Sequence, residues 1–236
     1  MLNKDLHTNV SVAILRDIYS DTLLRTLLGF KGGTAAMLFY GLPRFSVDLD
    51  FNLLVPEKKE NVFERLKEIL PKHGNVIQAK DKHYTLFFLI SYKKGERGLK
   101  IEISKRPLQF GYVPKNFLGI SMLVMNKEDM AAGKLSALLT RKRFAARDLF
   151  DMWFFLKEHW QINGVILKKN TGLTLAQALK KAQTQVRMVK NTELLAGVGD
   201  LLDKKQKAFI KEKLQDELVF FLKLYLNTLK RERSTS

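Results

Sequence analysis

The sequence has no cysteine, which excludes a disulfide framework, a thiolate metal site and a thiol nucleophile. It has no run approaching the ~18 consecutive apolar residues of a membrane span, so no membrane partner is expected. Met1 to His7 holds no apolar core behind a basic start, which predicts no secretory leader and a cytoplasmic protein. No internal repeat is present. Acidic residues are in short supply: 24 Asp and Glu face 41 Lys and Arg, for a formal net charge of +17. Such a field attracts polyanions, nucleic acid first, with an anionic membrane surface or an acidic protein second. What remains is ordinary for a folded protein. Hydrophobic residues make up 46% of 236 positions, enough for a core in one large domain or two small ones.

Along the chain, residues 9–29 read as a helix, with Val10, Ile14, Ile18, Leu23 and Leu27 at four- to five-residue steps. Gly29 closes that pattern and Phe30-Lys31-Gly32-Gly33 breaks it. Thr34 to Tyr40 reads as a short helix, stopped by Gly41-Leu42-Pro43. Val47 to Leu54 alternates as a strand, with Val47, Leu49, Phe51 and Leu53 on one face and Asp48, Asp50 and Asn52 on the other. A helix is expected from Pro56 to Leu70, then strands at Tyr84–Tyr92 and Leu99–Ser104 joined by a hairpin loop. Beyond about residue 122 the spacing turns helical, at 127–139, 147–158, 174–189 and 204–229. The tail from Lys230 to Ser236 reads as frayed. The fold class is therefore α/β: a mixed sheet with flanking helices in residues 1–122, then an all-helical domain in 123–236.

The chemistry concentrates in two places. Asp48 and Asp50 lie at i and i+2 on one strand face, so their side chains project together. Two close carboxylates repel, and a divalent cation relieves that repulsion; oxygen-only ligands suit Mg²⁺ or Mn²⁺. Fourteen residues before Asp48, Gly32-Gly33-Thr34 opens a helix, where bare backbone N–H groups suit phosphate. Glu102 sits on the polar side of the alternating strand Leu99–Ser104. If that strand lies beside the Asp strand, three carboxylates converge; two would bridge metals and the third could take a proton from an attacking hydroxyl. Plain solvent-facing alternation is the competing reading of Glu102. Further on, Asp148 and Asp151 share one helix face at i and i+3. Arg141, Lys142, Arg143 and Arg147 form a basic run suited to RNA phosphate, to a triphosphate, or to plain solvation.

Lys31-Gly32-Gly33-Thr34-Ala35 followed by Arg44-Phe45-Ser46-Val47-Asp48-Leu49-Asp50-Phe51 resembles the AbiEii/AbiGii abortive-infection toxins, which have the DNA polymerase β-like nucleotidyltransferase fold. Leu99 to Ile103 resembles that family's second motif, with Glu102 where the family has an acidic residue. Gly133-Lys134-Leu135-Ser136 and Arg147-Asp148-Leu149-Phe150-Asp151 resemble its later motifs. The likeness covers about residues 30–155.

The resemblance implies that Gly32, Gly33 and Thr34, with Arg44 and Ser46 of the same motif, hold the phosphates of a nucleoside triphosphate. It implies that Asp48, Asp50 and Glu102 bind Mg²⁺ or Mn²⁺, and that Lys134 contacts nucleotide phosphates. It gives Asp148 or Asp151 the role of a last acidic residue, without choosing between them. It implies nucleotide transfer to an RNA, with the tRNA 3′ end as acceptor, growth arrest in antiviral defence, and a cognate antitoxin. It also implies that the helical domain completes the cleft for nucleotide and acceptor. Two other readings remain: transfer to a protein or small molecule, and a fold that binds nucleotide or nucleic acid without turnover.

Overall fold

Period-two alternation builds the first part of the chain into a sheet, and period-3.6 spacing builds the second part into helices. The computed structural model describes residues 2–107, 110–141 and 145–234. The chain divides into two units, Met1–Asn126 and Lys127–Ser236.

The first unit opens with helix α1 (Lys4–Ser20), the single turn α2 (Leu24–Leu27), strand β1 (Leu28–Lys31), helix α3 (Gly32–Tyr40) and strand β2 (Asp48–Leu53). Helix α4 (Lys59–Ile69) follows, then β3 (Asn75–Lys82), β4 (Thr85–Ser91), β5 (Leu99–Ser104), β6 (Tyr112–Phe117) and β7 (Ile120–Met125). These strands form one sheet in the order β3-β4-β5-β2-β1-β7-β6. The β2–β5 and β1–β7 pairs are parallel and the others antiparallel. One face is apolar: Leu49, Phe51, Leu86, Phe88, Ile101 and Ile103 are fully buried there. The Phe63 ring of α4 lies 5.0 Å from that of Phe88, so α4 covers this face. The polar face carries Asp48, Asp50 and Glu102.

Several expectations are corrected. The helix expected over 9–29 ends at Ser20. The Asp21 carboxylate accepts from the Leu23 and Leu24 N–H groups and starts a fresh turn, after which Leu28 enters β1. Gly29 is thus a strand residue, and the Tyr112 ring occupies the space its Cβ would fill. Leu27-Leu28-Gly29-Phe30 suits a buried central strand as well as a helix, and spacing alone does not separate the two. Besides β1, three more strands, β3, β6 and β7, were not expected. The strands β3 and β6 are edges, largely exposed, and β6 contains Pro114, so neither shows clean alternation. Because β7 runs to Met125, the division falls at 126/127, four residues beyond the expected boundary.

The second unit comprises α5 (Lys127–Thr140), α6 (Ala146–Lys157), α7 (Gly164–Thr171), α8 (Leu175–Arg187), α9 (Lys204–Glu212) and α10 (Leu214–Ser234). Helix α6 is its centre: Asp148 to Leu156 are all buried. The Phe155 and Trp160 rings stack at 4.0 Å, and Trp153 Nε1 donates to Glu217 at 2.8 Å. Helix α7 was not expected; Asn163 caps it by accepting from Val165 and Ile166. The single helix expected over 204–229 is two, broken at Lys213. Residues 230–234, expected to fray, continue α10.

Candidate active site

The strand β2 begins at Asp48, and its register with β5 sets the site. Asp50 is the cross-strand partner of Glu102, and Asp48 that of Lys100. Cross-strand partners project to the same face, so Asp48, Asp50 and Glu102 share one polar patch. On the other side of β2, Lys31 of β1 is the partner of Asp50. The condition set by the sequence is therefore met: the Glu102 strand lies beside the Asp strand.

The helix start lies directly against this patch. Gly32 holds a left-handed φ of 80°, and the Asp50 carboxylate occupies the space its Cβ would take. A Cβ on Gly33 would lie 2.7 Å from both Arg44 Nη2 and Ser46 Oγ. The two glycines thus let Asp50 on one side, and Arg44 with Ser46 on the other, touch the backbone of the first turn of α3. That turn carries N–H groups without helical partners and the positive end of the helix dipole. Thr34 is 2% exposed, and its hydroxyl donates to the Asp48 carbonyl at 2.5 Å. It ties α3 to the start of β2, leaving its backbone N–H in the first turn. The buried Arg44 also donates from Nη1 to the Phe45 carbonyl at 3.1 Å.

Burial and the charges of Asp50 and Asp48 raise the proton affinity of Glu102 above the usual carboxylate range. That is the electrostatic mark of a cluster suited to a cation. Among the described residues, however, no three His, Asp or Glu side chains close into a ready-made cage. An incomplete set fits Mg²⁺, which takes one or two carboxylates and draws its remaining ligands from substrate phosphates and water.

A residue not anticipated from the sequence braces this site. His7 of α1 is 1% exposed. Its Nε2–H donates to the Val47 carbonyl at 2.9 Å, and its Nδ1 accepts from the Tyr92 hydroxyl at 2.7 Å. Burial lowers its proton affinity, so the neutral ring is favoured. A lone histidine on an apolar helix face gives no sequence signal for this role.

Within the second unit, Lys134 of α5 meets both candidate aspartates of α6. Its ammonium lies 2.9 Å from Asp148 Oδ1 and 2.7 Å from Asp151 Oδ2, with both aspartates at most 2% exposed. Arg141 Nε lies 3.1 Å from the other oxygen of Asp148. Two cations thus face two carboxylates, and the ammonium keeps one of its three N–H donors for a further acceptor. Arg147 falls in the first turn of α6, while Lys142 and Arg143 lie outside the described residues.

Comparison with known proteins bears on the fold and the family. No curated protein sequence matches the chain. A putative nucleotidyltransferase from Helicobacter pylori superposes with a TM-score of 0.63 at 23% identity, covering 95% of each chain. JHP933 from the same organism gives 0.65 at 22% identity, over 100% of this chain and 97% of that one. The nucleotidyltransferase toxin MenT4 of Mycobacterium tuberculosis gives 0.56 at 18% identity, over 92% and 84%. At these identities the likeness is one of fold. A family profile described as the nucleotidyl transferase AbiEii toxin of type IV toxin–antitoxin systems matches residues 13–230, and this chain therefore belongs to the AbiEii nucleotidyltransferase toxin family.

Proposed function

We propose that this toxin transfers a nucleoside monophosphate from an NTP to the 3′ hydroxyl of an RNA, with the tRNA 3′ end as acceptor. The observation that carries the reading is the β2–β5 register, which sets Glu102 beside Asp50 and near Asp48, against the Gly32–Gly33 helix start. A net charge of +17 favours a polyanionic acceptor over a cationic small molecule.

In this reading the first turn of α3 receives the triphosphate, with Arg44 and Ser46 beside it. Asp48 and Asp50 would hold Mg²⁺ or Mn²⁺, with Glu102 beside them. A divalent ion there would neutralise charge on the attacking and leaving oxygens. The RNA 3′ oxygen attacks the α-phosphorus, the bond to the bridging oxygen breaks, and pyrophosphate leaves. The hydroxyl proton passes to Glu102, whose proton affinity is raised by burial and its two neighbours. The family motif is the ground for assigning Lys134, which Asp148 and Asp151 hold within the second unit, to a nucleotide phosphate. The family implies an antitoxin partner; we assign to it the relief of an arrest caused by blocked tRNA charging.

The test is an assay of each α-labelled NTP with total tRNA, using wild type and Asp48→Ala. Label should enter tRNA with the wild type and fall by at least ~100-fold in the variant, as for loss of a transition-state charge partner. Equal labelling by the variant would refute the assignment.

A further inference from the structure

The polar face of the sheet extends beyond the carboxylates to the β3 edge. The cross-strand partners run in one row: Lys31 to Asp50, Asp50 to Glu102, Glu102 to Phe87, and Phe87 to Lys80. Flanking rows add Lys100, the partner of Asp48, and Lys82 near the hairpin turn. Lys80 and Lys82 are exposed, and Lys82 lies with its ammonium 3.5 Å from the centre of the Phe87 ring.

The opposite face of the same hairpin is arranged differently. There Asp81 forms ion pairs with Lys59, at 3.4 Å, and with Lys105. On the polar face Lys80, Lys82 and Lys100 form no ion pair with any described residue. Lys80 lies in the row of Asp50 and Glu102, and Lys82 and Lys100 flank that row, close enough for their charges to act on Glu102. Strands are spaced ~4.8 Å apart, so Lys80, two strands from Glu102, sits ~10 Å from it along the sheet.

We infer that the polar face of the β3–β4 hairpin is the track for the single-stranded 3′ end of the RNA acceptor, with Lys80, Lys82 and Lys100 on its phosphates. A row of cations that can follow a backbone is part of the usual arrangement for holding a single strand. This rests on the nucleotidyl-transfer reading and adds the route by which the acceptor reaches the carboxylates.

The test is fluorescence anisotropy of a short labelled single-stranded RNA over a salt series, without NTP. Lys80→Ala/Lys82→Ala should weaken binding and reduce the slope of log K against log salt by about 1.4, the value for two lost single-strand phosphate contacts. Lys59→Ala, which removes a lysine from the covered face, should leave both unchanged. In the labelling assay the double variant should raise KM for RNA and keep kcat. An unchanged slope, an equal loss in Lys59→Ala, or equal effects on a blunt duplex would overturn the proposal. The two readings separate cleanly. RNA binding that depends on Lys80 and Lys82, with no label transfer by the wild type, would sink the transfer reading and keep the surface. Active transfer with an unchanged slope would do the reverse.

Discussion

In the first unit Asp48, Asp50 and Glu102 stand on neighbouring strands, where Glu102 is held protonated more tightly by burial and its two acidic neighbours. In the second unit Asp148 and Asp151 lie deeper, but Lys134 sits between them and Arg141 takes the far oxygen of Asp148. The two clusters use the same functional group for different ends. The second is balanced by its own cations, so it serves to fix a lysine. In the first, the charges of Asp50 and Asp48 add to burial in raising the proton affinity of Glu102, a repulsion that a divalent ion would relieve under the proposed function.

The largest effect should come from unbalancing the second cluster. Lys134→Ala removes the ammonium shared by two buried carboxylates, and should cost ~3–5 kcal/mol in urea unfolding. A loss under ~1 kcal/mol would show that the cluster is solvated and that the contrast fails.

Acid sharpens the contrast from the other side. His7 has its proton affinity lowered by burial, although the hydrogen bond to Val47 pulls it up. The folded state therefore takes up a proton less readily than the unfolded chain. Stability present above the unfolded value of 6.5 is lost as pH falls below it, by at most about 1.4 kcal/mol per pH unit. Urea midpoints measured across that range should slope for the wild type and flatten for His7→Gln.

How much of this was legible depended on how local each cause is. Asp48 and Asp50 were legible because alternation puts i and i+2 on one face, and the glycine turn was legible as a break. Asp148 and Asp151 were likewise placed on one face by their i, i+3 spacing. Their capture of Lys134 was not, because it depends on how α5 packs on α6. Glu102 was legible only as a condition, since its pairing with Asp50 joins residues 52 positions apart. The strand β1 was hidden in an apolar run that also fits a helix, and with it the pairing of Lys31 and Asp50. The strand β3 was hidden because an exposed edge need not alternate, so the row from Glu102 to Lys80 had no sequence signature. The fold class emerged from the pattern; the neighbours in the sheet did not.

The most direct measurement compares thermal unfolding of the wild type and Glu102→Gln with and without Mn²⁺. Without metal the variant should be more stable by ~0.2–1 kcal/mol, since it removes a like charge from a cross-strand pair. With saturating Mn²⁺ the wild type should gain more and the order should reverse. A wild type indifferent to Mn²⁺, or a Glu102→Gln variant less stable than it without metal, would contradict the proposal that these carboxylates bind a divalent cation.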